Sequence, residues 1–566
     1  MYKFLNDNKT YDRFYYVETK TFQPTEIPEL ESIHPRDLKL FSNDIFDIVD
    51  HNKIKIVHSN IRSNKYNAGI LDLTSTHGKH KNKFLYLCKP DDKRIPFFLI
   101  PFEIKPSFDK SVQKIYITFE FTNWNNTTLP TGRVTQNLGD NRVLHHFYEY
   151  ILYCKSLNIS IQSFTKDVVK KLKQNSDKNI ISQIQQKYNL DTIHANDEFV
   201  FTIDPVNSVD FDDAISYNKD KNTINIYITN VAIVLDHLDL WKSFTNRICS
   251  IYLPDKKRSM LPSLLSECLC SLNENKYKLC YVMTLYFDEK DNSLLDHFDL
   301  AVKTVYISKN YTYHEENKLE KRKDYRRMIE LMRCKSSKDL IGKLMLKFNQ
   351  NIALQMGEKR EGIYRCIYDV HHETKDKPTD FPSEIYDHIQ YIRGQASSYS
   401  LFKEDLYNTS IYGKNGIYLQ VTSPIRRLVD LLNNIALLHF MDLHSFKNDA
   451  LIFYKDWISD EKLDFINTSS RAVRKIQSKC QIYHTYEINR ARNQTIEYIG
   501  YLFDKIKKEG DGKYQYMVYL PDLNLTSYIT LQNDLENYSK HIFSIYIFMS
   551  EENEKRKIKL QICFNS

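Results

Sequence analysis

The chain has 566 residues and a mass of 67.4 kDa, which at roughly 150 residues per domain leaves room for about three to five domains. A hydrophobic fraction of 42% excludes a wholly disordered chain, and only 13 glycines exclude a Gly-rich structural protein. The balance of 79 Lys+Arg against 72 Asp+Glu leaves +7, which permits nucleic-acid binding without establishing it. The 40 Tyr and 31 Phe supply faces on which bases stack, but a genome biased toward Lys, Asn, Ile and Tyr explains them equally well. The ten cysteines form no C-x-x-C pair, which argues against a zinc knuckle or redox motif and for reduced thiols. The first residues, MYKFLNDNKTYDRFYY, carry no apolar core of a secretory signal, and no run approaches 18 apolar residues. The expectation is therefore an intracellular, cytoplasmic protein without a membrane span.

In chain order, residues 1–58 resist reading, with short strand-like runs between Pro-punctuated turns. Residues 59–145 look like a small β-barrel, with runs at Lys83–Cys88, Ile95–Ile100 and Lys114–Phe121 separated by turn residues. Residues 146–195 turn helical, and their basic stretch Lys166–Lys178 reads as a solvated helix face. Residues 196–475 mix strand and helix signals without a linker, which predicts one large α/β domain. Within it, Lys318–Lys338 is charged enough to predict an exposed helix. The last stretch, 485–566, returns to short strands at Tyr514–Leu520, Thr526–Thr530, Ile542–Met549 and Lys557–Ile562. Several short strands in so few residues predict a barrel of the oligonucleotide-binding type.

The most informative segment is Phe201–Ile215, FTIDPVNSVDFDDAI, which places Asp204, Asp210, Asp212 and Asp213 within ten residues. Carboxylates this close repel one another, and packed together without partners some would have to protonate. Apolar residues frame them on both sides, unlike a solvated acidic loop. An EF-hand fails, because the positions for its Gly and Glu hold Val209 and Ile215 counted from Asp204, and Ile215 and Lys221 counted from Asp210. A plain acidic turn remains open. A Mg²⁺ site for phosphate chemistry explains the cluster better, since a hard cation prefers oxygen ligands and relieves the repulsion.

The spacing Asp-x5-Asp-x-Asp-Asp, inside TIDP…DxDDA, resembles the catalytic (RNB) domain of the ribonuclease II and ribonuclease R family, to which the eukaryotic exosome nuclease also belongs. The resemblance implies a processive 3′→5′ exoribonuclease that uses Mg²⁺ (Mn²⁺ is not distinguished) to degrade single-stranded RNA to nucleoside 5′-monophosphates. It implies that Asp204, Asp210, Asp212 and Asp213 hold metal, with Asp212 the most critical, positioning the attacking water.

A second segment, Tyr418–Asp430, reads YLQVTSPIRRLVD. Ser423 suits an N-cap and Pro424 the first helical position, with Ile425, Leu428, Leu432 and Ile435 at helical spacing. That reading puts Arg426 and Arg427 in the first turn, the unfavourable end of the helix dipole for a cation. A bound phosphate would favour them there. An i,i+4 pair of Arg426 with Asp430 is the alternative. The segment resembles the family's TSPIRRYxDL signature, which implies that Arg426 contacts the scissile phosphate or its neighbour and makes Arg427 a further RNA-binding candidate. Leu428, Gln420 and Asn434 depart from the family pattern, and its Gly-His-Phe-Gly run is not recognisable, Ser410 falling near its His.

The run from Tyr252 to Asn273 resembles a family stretch of Tyr-Leu-Pro, Met-Leu-Pro and Leu-Cys-Ser-Leu. The resemblance implies that Tyr252 stacks on RNA bases, with Arg247 as another RNA contact. Lys256, Lys257 and Arg258 either touch phosphate or decorate a solvated loop, and Lys278 stands where Arg is usual. Asn349, Gly362–Arg365 and Tyr313 resemble family positions and read as fold markers. Ile95–Asp140 is similar to the family's second cold-shock-like barrel, with Trp124 expected to be structural, and the final stretch to its S1-type barrel. The first cold-shock-like barrel would lie in 1–58, in degenerate form, and no room exists for an endonuclease domain. The expected architecture is thus multidomain α+β, a central RNB-type domain flanked by OB-fold barrels, in a chain that works as a monomer. The rival reading is a catalytically silent RNA-binding or scaffold subunit on the same fold. A DNA exonuclease is a third.

Overall fold

The computed structural model describes residues 1–50, 53–104, 112–125, 128–173, 177–366, 381–394, 398–403, 417–491, 496–508, 510, 512–550 and 555–563. Ser410 and part of the basic stretch 166–178 lie outside them. Two compact units emerge, Met1–Asn158 with Lys479–His484, and Ile159–Ser478 with Thr485–Ser566.

The first unit holds two sheets. Residues 1–58, unreadable in sequence, form a five-stranded antiparallel sheet in the order Pro24–Thr25, Phe14–Glu18, Tyr2–Asn6, Ile45–Asp50, Lys53–His58. The second sheet is a closed barrel of Thr131–Asp140, Phe98–Phe102, Lys83–Pro90, Asn67–His80 and Lys114–Asn123. Their inward residues merge into one core, where Phe41 stacks on Trp124 with ring centroids 4.8 Å apart. Trp124 is buried there, as a structural residue.

The second unit is built on a seven-stranded mixed sheet. Its order is Thr192–Ile193, Leu294–Ile307, Lys276–Phe287, Thr223–Thr229, Asp213–Asn218, Phe201–Asp204, Lys309–Thr312. The central strand, TINIYIT, is buried at every position, as its β-branched run suits a strand covered on both faces. One face carries the main core, which includes the helices Val231–His237, Ser337–Glu358 and Leu428–Phe440. The last of these is buried along its first eleven residues, which are apolar except for the hydrogen-bonded Asp430, Asn433 and Asn434.

The charged run Lys318–Lys338 is not one exposed helix. It breaks into Glu316–Leu319, Lys323–Leu331 and the start of Ser337–Glu358. The reason is an apolar stripe, since Leu319, Tyr325, Met328 and Leu331 are buried, while Ser336 caps the next helix by accepting the Asp339 N–H. The C-terminal strands Glu497–Lys507, Tyr514–Leu520, Leu525–Leu531, Lys540–Met549 and Arg556–Cys563 form a five-stranded antiparallel sheet. Among the described residues no helix is long and apolar enough to cross a membrane.

Candidate active site

The acidic segment spans the turn between two neighbouring strands. Phe201–Asp204 pairs in parallel with Lys309–Thr312 and meets Asp213–Asn218 antiparallel at Phe201 and Ile215. Phe201, Ile203 and Ile215 are buried in the core, so the strands hold Asp204 and Asp213 at their ends by hydrophobic anchorage. Between them the loop is tied from a distance. The Phe211 N–H donates to Ser271 Oγ (3.0 Å), whose hydroxyl donates to the Val209 carbonyl (3.1 Å). The Leu272 N–H donates to the Phe211 carbonyl (3.0 Å), and the Thr229 N–H to the Asp212 carbonyl (2.9 Å). The Cys-Ser-Leu run is therefore the clamp of the acidic loop, a role its sequence alone does not announce.

Arg426 meets Asp212 directly. The carboxylate is 2% exposed; its Oδ1 accepts the Ile425 N–H (2.9 Å) and its Oδ2 accepts Arg426 Nε–H (3.1 Å). Arg426 Nη2 also donates to Ser423 Oγ (3.1 Å). The expected helix start is corrected here. The helix is Leu428–Phe440, not one opening at Pro424, and neither arginine lies in its first turn. Arg427 is extended (φ −134°, ψ 126°) and bridges Cys249, while the Leu428 N–H donates to the Ile248 carbonyl (2.8 Å). Those contacts hold residues 426–427 against a neighbouring chain segment and prevent helical geometry. Asp430 then occupies the first turn, where an anion suits the dipole. Its partner is Arg427, with Nη2 donating to Oδ1 at 2.8 Å, rather than Arg426.

Asp210 faces another side of the site. The Tyr252 hydroxyl donates to its Oδ2 (3.1 Å), and Lys257 Nζ lies 3.3 Å from its Oδ1 and 3.2 Å from Glu267. The ring of Tyr252 remains 43% exposed, and its backbone N–H donates to Gln477 Oε1 (2.8 Å) from the helix Asp460–Ala491. Lys257 is thus brought to the cluster, whereas Arg258 grips Asp255. Arg247 is not brought there; its guanidinium donates to the carbonyls of Ser259 (2.6 Å) and Ile159, holding two backbone segments together. The Lys278 ammonium likewise donates to the carbonyls of Cys268 and Leu269 (3.2 Å to the latter). Tyr313 does join the site; burial and then the charges of Asp213 and Asp204 push its hydroxyl up to about 12.

Burial dominates the electrostatics. It pushes Asp204, Asp212 and Asp213 each up to about 7, with their mutual repulsion adding and Arg426 opposing. Asp204 Oδ2 is buried without a hydrogen-bond partner. That orphaned oxygen, repelled by the half-buried carboxylate of Asp213 and with the charge of Asp210 also felt, fits a hard divalent cation. Among the described residues no three His, Cys, Asp or Glu side chains are grouped as a ready-made metal cage. The placement differs from the sequence expectation in one respect, since both oxygens of Asp212 already accept N–H bonds, which makes it first the anchor of Arg426.

Comparison with known proteins gives this site a context. Residues 193–325 match the RNB domain, and residues 85–154 match the Dis3-like cold-shock domain 2. Over 117 residues the chain is 36% identical to ribonuclease R of Helicobacter pylori strain J99, covering 20% of this chain and 17% of that protein. Over 205 residues it is 30% identical to DIS3-like exonuclease 2 of Schizosaccharomyces pombe, covering 34% and 21%. The chain thus spans about a fifth of the length of the curated relatives it matches. Its fold is similar to the apo form of Mycoplasma genitalium RNase R, with a TM-score of 0.64 and 17% identity over 98% of this chain and 96% of that one. It is also similar to yeast Ssd1, a pseudonuclease, with a TM-score of 0.58 and 14% identity over 89% and 70%. The fold is that of a multidomain protein with RNB and OB-type domains. The segment that matches the RNB domain contains Asp204, Asp210, Asp212, Asp213 and Tyr252.

Proposed function

We propose that the chain is a divalent-metal-dependent 3′→5′ exoribonuclease that hydrolyses single-stranded RNA processively to nucleoside 5′-monophosphates. The observation that carries this reading is the junction of Asp204, Asp212 and Asp213 with Arg426, which sets an arginine side chain, 46% exposed, beside one buried and two half-buried carboxylates. Ribonuclease R relatives and a structure of Mycoplasma genitalium RNase R in complex with ribose methylated single-stranded RNA support it.

RNB nucleases generally depend on a divalent metal. Here Asp204 and Asp213, with Asp210, would hold it, and Mg²⁺ is the ion proposed. When bound, such an ion activates water and neutralises developing phosphoryl charge. The chain's own groups do the rest. Asp212 fixes the Arg426 fork through Nε, leaving the guanidinium aimed at a phosphate, where charge grows in the transition state. Tyr252 offers its exposed ring to the terminal base while its hydroxyl stays on Asp210. Asp430 fixes Arg427, so that residue shapes the turn as well as adding charge. An intracellular, monomeric enzyme is part of the same proposal.

The test is end-labelled single-stranded RNA incubated with Mg²⁺, with EDTA, and with the Asp212→Asn protein. Conversion of 5′-labelled full-length RNA to a short end product in the first lane alone is expected; intact RNA in all three would sink the reading, and DNA oligonucleotides in parallel separate an RNase from a DNase. The likeness to a pseudonuclease keeps the silent RNA-binding subunit as the second reading. Against it stands the retention of buried, mutually repelling carboxylates, which binding alone does not require.

A further inference from the structure

The acidic site holds a cation of the protein's own. The strands Ile251–Tyr252 and Lys257–Arg258 pair antiparallel, with Tyr252 directly opposite Lys257. Side chains opposite each other in such a pair stand on the same face. Both of these reach Asp210, whose side chain is 8% exposed: the Tyr252 hydroxyl donates to Oδ2 (3.1 Å), and Lys257 Nζ lies 3.3 Å from Oδ1. Lys257 Nζ also lies 3.2 Å from Glu267 Oε1. Glu267 belongs to the helical turn Leu264–Leu269, and the Asn273 side-chain amide donates to its carbonyl (2.9 Å), two residues past the Ser271 that clamps the acidic loop.

The ammonium is therefore shared between two carboxylates. Its nitrogen is shut off from water, yet neither contact has the geometry of a hydrogen bond. Charge holds it there, and charge sets a distance without fixing a direction. The two carboxylates differ in their surroundings. Asp210 belongs to the acidic cluster, whereas Glu267 lies outside that segment and is 35% exposed. A divalent cation arriving at Asp210 repels an ammonium 3.3 Å from the same carboxylate. Glu267, already in contact, can receive it. A fixed ion pair that braces the hairpin is the plain alternative. It needs one carboxylate and does not explain the second at equal reach of the same nitrogen.

We infer that Lys257 is a built-in competitor for the metal, neutralising Asp210 when no metal is bound and passing to Glu267 when a divalent cation takes its place. The inference rests on the proposed metal-dependent reading, and it concerns the affinity of the site rather than the chemical step. Lys257 lowers that affinity, because its displacement opposes binding. Glu267 raises it, because it stabilises the displaced lysine. The effect of Glu267 therefore requires Lys257, and the two are coupled in a way that independent charges are not.

The experiment titrates Mg²⁺ into the full chain by calorimetry, without RNA, for the wild type, Lys257→Met, Glu267→Gln and the double variant. Lys257→Met is expected to tighten binding on the order of tenfold, the strength of one charge-assisted contact. Glu267→Gln is expected to weaken it about threefold, the strength of a partly exposed ion pair. The double variant is expected to bind like Lys257→Met. Thermal unfolding against Mg²⁺ concentration repeats the series, and Lys257→Gln takes the place of Lys257→Met should the latter fold poorly. Lys257→Met binding no tighter than the wild type would overturn the exchange. So would single effects that simply add, because Glu267 would then act on the metal without the lysine. A second arm measures binding of a fluorescent ten-nucleotide RNA against salt in EDTA. Lys257→Met is expected to leave the slope of log K against log salt unchanged; a slope flatter by about 0.7, the value for one phosphate contact on a single strand, would assign the lysine to RNA instead. If neither the wild type nor any variant binds Mg²⁺, the metal-dependent reading fails and the exchange with it. If the wild type binds and the effects add, the exchange alone fails.

Discussion

The two ends of the acidic loop solve the same problem in opposite ways. At one end Asp212 is buried but answered, by the Ile425 N–H on one oxygen and Arg426 on the other. Asp204, at the other end, and Asp213 are half-buried and repel each other, and one oxygen of Asp204 has no hydrogen-bond donor. The difference separates an anion that organises the protein from anions that await a cation. A buried carboxylate with fixed donors rigidifies its surroundings, whereas unpartnered ones store repulsion that a metal releases.

The largest expected effect breaks the first end. Arg426→Ala should lower kcat by on the order of 10²–10³, the usual loss of one preorganised donor at developing charge, in single-turnover RNA decay. Arg426→Lys should not recover it, because lysine has no Nε–H to lie on Asp212.

Substitutions that replace acid by amide should then split the two ends by stability. Asp212→Asn sets an amide against two N–H donors and should destabilise the protein by about 1–3 kcal/mol in urea unfolding. Asp204→Asn or Asp213→Asn should raise stability in EDTA, because a buried like-charge repulsion disappears, while weakening Mg²⁺ binding measured by calorimetry. Loss of stability in all three would erase the contrast.

A pH series sharpens the same point. Asp204, Asp212 and Asp213 ionise near 7 in the folded chain and near 4 once unfolded. Between those values the folded form binds more protons than the unfolded form, so stability without metal should fall as pH rises from about 4 to 7. Thermal unfolding in EDTA reads this, and the Asp204→Asn protein should show a shallower fall. Smallest is Tyr252→Phe, which removes one half-exposed hydrogen bond to Asp210 and should change RNA decay only a few-fold; Tyr252→Ala, which removes the ring, should raise KM further.

Much of this site was legible because its signals are local. Four aspartates within ten residues, framed by strand-forming apolar runs, need no tertiary information to be noticed. The arginine turn was legible as a motif and misread as geometry. Ser423 and Pro424 look like a helix start by every local rule, yet Cys249 and Ile248 hold the next residues extended and delay the helix to Leu428. Arg247 and Lys257 show the same limit. Both are cations near Tyr252 in sequence, but Arg247 closes onto carbonyls while Lys257 reaches Asp210. Ser271 and Gln477 carried no signal of their own, since each acts through bonds to a segment far along the chain. Residues 1–58 were opaque because five short strands divide their hydrophobic pattern into pieces too brief to show a period.

The sequence by itself therefore determined the stock of the site, the four carboxylates and two adjacent arginines, and the strand pattern that buries their flanks. Only the tertiary structure decided which charge answers which. Asp212 and Arg426 lie 214 positions apart, and Tyr252 and Gln477 lie 225 apart. Pairing between distant groups is fixed by how helices and strands pack, and packing is a property of the whole core rather than of any window in the chain.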